Sequence, residues 1–128
     1  MVIELIDHTA DVALRIYAPS LKELVEDCIN SVKYLCKCGV EQTCIFSTIY
    51  KMEGNTEDLL FNVLNDVIYY LDVDEVLPML TEIKEDEVKV DFGRIKGKPA
   101  LELKALTYHR LEIKKRDDAF ETLLVFDV

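Results

Sequence analysis

Apolar residues recur along this chain with two periods, and the switches between them divide it into elements. Val12, Leu14 and Ile16 alternate with Asp11, Ala13, Arg15 and Tyr17, the period-two pattern of a half-buried strand over residues 11–18. Residues 2–6 read as a strand before it, across the polar break Asp7-His8-Thr9-Ala10. Pro19 ends the second strand. Ser20-Leu21-Lys22-Glu23 then matches a capping box, whose hydroxyl and carboxylate satisfy unpaired N–H groups at a helix start. Leu21, Leu24, Val25, Cys28, Ile29, Val32 and Leu35 follow at helical spacing, with Gly39 as the expected stop. Residues 42–52, with Ile45, Phe46, Ile49 and Tyr50, read as a third strand broken by Gly54-Asn55-Thr56. A second helix starts near Thr56, with Glu57 and Asp58 where negative charge suits the helix dipole. Its stripe is Leu59, Leu60, Val63, Leu64, Val67, Ile68 and Leu71. Residues 76–84, 87–95, 100–116 and 119–128 then read as strands parted by charged or glycine-containing turns.

This order predicts an α+β fold: one domain with a mostly antiparallel sheet and two helices packed on it. The 128 residues fit one domain, residues 1–128, and 50% apolar content is enough for one core. No stretch approaches the ~20 apolar residues of a membrane-spanning helix. The opening residues Met1 to Asp7 lack the basic region of a secretory signal, so a cytoplasmic location is expected.

The formal net charge of −10 argues against gripping RNA or DNA over a broad face. It favours cations and basic protein partners instead. Cys28, Cys36, Cys38 and Cys44 form no Cys-x-x-Cys pair and have no histidine between them. They read as reduced thiols acting as small apolar residues rather than as a zinc site.

Four segments carry candidate chemistry: His8-Thr9-Ala10-Asp11; Glu57-Asp58-Leu59-Leu60, continuing to Leu64-Asn65-Asp66; Lys104-Ala105-Leu106-Thr107-Tyr108-His109; and Phe126-Asp127-Val128. In their order and spacing the chain resembles the archease family over nearly its whole length. Two departures stand out, a short connection before Lys104 and Arg110 where a smaller residue, often glycine, is expected. The resemblance implies an accessory protein, not an enzyme. It would activate an RtcB-type RNA ligase of tRNA splicing by promoting guanylylation and turnover and by broadening its nucleotide use. It also implies a divalent cation, calcium or its relatives magnesium and manganese, held by Asp11, Asp127 and Val128. The ligase is then the protein partner, and no direct nucleic-acid or membrane contact is expected.

The residues make separate sense of such a site. Hard cations take several oxygen ligands, and strands beginning at Asp11 and ending at Asp127 can meet at one rim. Val128, as the last residue given, would add backbone oxygens. Alternatively, both aspartates are solvated strand ends. Alternation over 101–113 sets Lys104 on one face with Leu106, Tyr108 and Arg110, either to contact a partner or simply to be solvated. The same alternation puts His109 among apolar neighbours as a core histidine. His8 either orients the site or caps a turn. No glycine-rich phosphate loop, activated nucleophile or EF-hand loop is present, so nucleotide binding is expected of the partner. A metal-dependent hydrolase and a generic chaperone with a structural metal remain as alternatives.

Overall fold

A computed structural model describes residues 2–7 and 11–128; His8, one of the candidate site residues, lies outside them. The first hairpin pairs β1 (Val2–Asp7) with β2 (Asp11–Ala18). Helix α1 (Leu21–Cys36) starts as the capping motif requires: the Ser20 hydroxyl accepts from the Glu23 N–H at 3.2 Å. The Glu23 carboxylate accepts from the Ser20 hydroxyl at 3.3 Å. The helix stops two residues before Gly39, because Lys37 itself takes the left-handed conformation at φ 53° and returns its N–H to the Lys33 carbonyl. Gly39 belongs instead to a short strand, β3 (Gly39–Val40).

The third strand is shorter than its composition suggested. β4 covers Phe46–Lys51, while residues 41–45 join it to β3. Helix α2 (Thr56–Asp74) is capped by Asn55, whose side-chain oxygen accepts from the Asp58 N–H at 2.7 Å. β5 (Val76–Lys84) and β6 (Glu87–Lys96) form a hairpin, and a register shift between Pro78 and Leu80 accommodates the proline. A four-stranded antiparallel sheet follows, with β3 and β4 on one edge of β6 and β5 on the other.

The second sheet corrects the long strand expected over 100–116. That segment pairs with β9 (Ala119–Asp127) only at β7 (Ala105–Leu106) and β8 (Ile113–Arg116). Between them the chain turns, the Leu111 N–H bonding the Tyr108 carbonyl at 3.0 Å with Arg110 at φ 65°. Strict alternation therefore fails here. Leu103, Leu106 and Leu111 are all buried, although they do not share a strand parity, and His109 is exposed in the turn rather than in the core.

The resulting five-stranded sheet runs β1-β2-β9, with β7 and β8 both on the far edge of β9. Its inner face carries Leu14, Ile16, Leu124 and Phe126, fully buried against α1 and α2 with Phe92 of the other sheet. Both helices contact β5 and each other, so one core is shared by two sheets and a helix pair. Among the described residues no helix is long and apolar enough to cross a membrane.

Candidate functional site

β2 is paired with β9 over its whole length, and the register sets Asp11 directly opposite Asp127. The burial alternation fixes the face. Leu14, Ile16, Leu124 and Phe126 point inward, so Asp11 and Asp127, sharing the opposite parity, stand on the outer face and are half-buried. Directly opposed side chains in an antiparallel pair have Cβ atoms about 4.5–5.5 Å apart, and like charges so placed repel. No cationic side chain among the described residues lies within ion-pair distance of either carboxylate. The sequence thus brings the beginning of one strand and the end of another to one rim.

β7 completes that rim. Ala105 pairs with Asp127, the Lys104 N–H donates to the Asp127 carbonyl at 2.8 Å, and the Thr107 N–H donates to the Val125 carbonyl at 2.9 Å. Lys104 is exposed beside Asp127, and Val128 is 39% exposed. Asp11 and Asp127 thus face each other on the outer side of the sheet, with Lys104 and Val128 as main-chain neighbours; the Lys104 side chain has the parity of the buried Leu106 and lines a pocket with Asn65, Tyr69 and Asp72 of α2.

Sequence reasoning included the residue that holds β7 at that rim in a candidate segment but gave it no role. Asn65, on α2, accepts from the Leu106 N–H at 2.9 Å and donates to the Leu106 carbonyl at 3.3 Å. Its amide replaces a strand partner for a two-residue strand that has β9 on one side only. An asparagine beside the apolar stripe of a helix was the available signal. Glu57 and Asp58 also do more than suit the helix dipole. The Glu57 carboxylate accepts from the Ile113 N–H at 3.3 Å, and Asp58 accepts from the Tyr108 hydroxyl. That hydrogen bond to Asp58 pushes the Tyr108 phenol above its ordinary range. The start of α2 thus fastens the turn that follows β7.

Among the described residues no group of three or more His, Cys, Asp or Glu side chains is arranged to hold a metal. The donor set at the rim is smaller: two carboxylates with main-chain oxygens beside them. Such a set fits a hard, oxygen-seeking cation that keeps water in its shell and suits soft metals poorly. The cysteines offer nothing to it. All four are free thiols; Cys28, Cys36 and Cys38 are buried and Cys44 is exposed, so only the first three behave as core residues.

The chain matches the family model of the archease protein family over residues 3–128. It is 34% identical to the protein archease of Thermotoga maritima over 127 residues, covering 95% of this chain and 96% of the relative. The archease of Archaeoglobus fulgidus is 27% identical, with 96% of each chain covered. The fold is similar to the crystal structure of a Thermotoga maritima archease described as a possible chaperone. That match has a TM-score of 0.82 at 32% identity and covers 96% of this chain and 94% of the other. A solution structure from Methanobacterium thermoautotrophicum shares the fold with a TM-score of 0.73 at 20% identity.

Proposed function

The chain belongs to the archease family, and from that premise we propose that it is an accessory protein that activates an RtcB-type RNA ligase and carries a divalent cation at the Asp11–Asp127 rim. The observation behind it is the register of β2 on β9, which sets two carboxylates face to face on the outer side of the sheet. Opposed carboxylates repel, and a bound cation turns that repulsion into attraction. Asp11 and Asp127 would hold the ion, with backbone oxygens of Val128 and water filling its shell. When bound, the cation supplies a local positive charge able to bind phosphate oxygens.

The chain's own residues shape what surrounds that charge. Asn65 holds β7 against β9 and so keeps Lys104 beside Asp127. The exposed Lys104 ammonium, on the α2 side of that strand, offers an acidic or phosphate group of a partner a second contact near the rim. The net charge of −10 favours docking on a basic protein, at a rate that falls as salt rises.

The test is multiple-turnover ligation of broken RNA by an RtcB-type ligase with GTP and manganese. Adding this protein should raise ligase guanylylation and the number of turnovers, and Asp127→Ala should remove the gain while remaining folded. A ligase that cycles identically with and without the protein contradicts the activation. Turnover of nucleotide or RNA by the protein alone would make it an enzyme instead.

A further inference from the structure

On the outer face of the five-stranded sheet, two side-chain rows along from the aspartate pair, the charge changes sign. Asp11–Asp127 is followed by Ala13–Val125, then Arg15–Leu123, then Tyr17–Glu121. Four residues of strand separate Asp11 from Arg15, about 13 Å. Beyond β9, Lys114 pairs with Glu121 and Arg116 with Ala119. Tyr17 on β2 and Lys114 on β8 thus flank Glu121 in one row, and Arg15 stands one side-chain row further along, about 10 Å across and about 7 Å along from Lys114, a gap that long side chains can span. The turn after β7 contributes Arg110. Together Arg15, Arg110, Lys114 and Arg116 line an open cavity of about 350 Å³ that also holds Glu112 and Glu121.

The local balance is four cations against two carboxylates in a chain of net charge −10. One pair is internally matched: the Arg116 guanidinium meets the Glu121 carboxylate at 2.8 Å, which fixes Arg116 in place. Among the described residues Arg15, Arg110 and Lys114 enter no ion pair. The wall is anchored too, since the Thr122 hydroxyl donates to the Glu112 carbonyl at 3.0 Å.

A second feature comes from the backbone. Arg110 has φ 65°, at the third position of a turn that glycine occupies without steric cost. The largest cationic side chain sits where the backbone favours none at all. Folding gains nothing evident from that choice, and Arg110 lines the cavity.

We propose that this cavity is an anion site for a phosphate-bearing ligand of at most mononucleotide size. Guanidinium groups bind phosphate through paired N–H donors; Glu4 stands opposite Arg15 and Glu121 opposite Lys114 in the strand register, and the cations that line the cavity still outnumber its carboxylates, which suits a dianion better than a single carboxylate. The volume is at the small end of ligand pockets, which excludes a duplex. Nothing in this proposal depends on ligase activation or on the metal.

The test follows backbone amide shifts of the whole protein by NMR during titration with inorganic phosphate, with guanosine monophosphate, and with a glutamate-rich peptide. Saturable shifts confined to Arg15, Arg110, Lys114, Arg116 and Leu123 are expected with the phosphate anions. Tighter binding of the nucleotide identifies a nucleotide phosphate as the ligand; equal binding identifies phosphate itself. Arg110→Gly should weaken phosphate about ten-fold, the loss of one charge-assisted contact. Its melting temperature should hold or rise, because the turn then carries its preferred residue. Glu112→Gln should tighten binding. The site is overturned if no phosphate anion gives saturable shifts there, if Arg110→Gly binds as the parent does, or if only the acidic peptide binds.

Discussion

Several residues hold conformations or protonation states that the surrounding fold imposes. Glu75 caps α2 in the left-handed region at φ 55°, a cost of about 1 kcal/mol that glycine avoids. Glu75→Gly is therefore expected to raise the melting temperature by about 4 °C in a thermal melt. Asn65 shows the opposite sign. Asn65→Ala leaves both backbone groups of Leu106 without their side-chain partner, and should cost about 1–2 kcal/mol in denaturant unfolding. It should also impair ligase activation, since Lys104 loses its fixed position, while a conservative Asn65→Gln variant retains part of both. Burial, with the nearby Cys38 adding to it, pushes the Cys36 thiol from 9.0 up to about 11. Cys28 is pushed up further, also chiefly by burial. The folded state thus favours the neutral thiol. Its stabilising contribution is complete below about pH 9 and is lost as pH rises through about 11. Unfolding free energies measured across that window should fall, and less steeply in Cys36→Ala.

At the level of elements, one glycine fixes how the smaller sheet closes. A Cβ on Gly93 would collide with the Glu41 carbonyl oxygen and lie 2.9 Å from Val40 Cγ1. β6 can carry β3 along its edge only because that side chain is missing. Gly93→Ala should destabilise by about 2–3 kcal/mol in chemical denaturation, through displacement of β3. Both helices and the paired strands β2, β5, β6 and β9 were legible in the sequence, because period and caps act locally there. Residues 100–116 were not. Leu101, Leu103, Ala105, Leu111 and Ile113 suggested continuous alternation, but the turn at Tyr108–Leu111 comes from contacts made far away in sequence. The Glu57 and Asp58 carboxylates fasten it from α2, and Asn65 holds its entry strand. A loop so anchored leaves no periodic mark. The same distance in sequence hid the role of Asn65, which was named only as part of a candidate segment, and it misplaced His109, which a continuous strand would have buried.

Across the whole molecule, the strongly acidic charge is not evenly spread. One face of the larger sheet carries an aspartate pair at its rim and, further along, four basic side chains from β2, β8 and the turn before β8. Residue types near both ends of the chain pointed to the rim, and only strand register could show that Asp11 and Asp127 are direct partners. The basic cavity had no sequence signature, because its residues come from β2, β8 and a turn whose course was not predicted. The centre of the account is the claim that the opposed carboxylates share one cation. Calorimetric titration of the full chain with calcium measures this directly. One saturable site is expected in the parent protein, lost in both Asp11→Asn and Asp127→Ala while their circular dichroism stays native. Heat of dilution alone in the parent, or unchanged calcium binding in either variant, would contradict it.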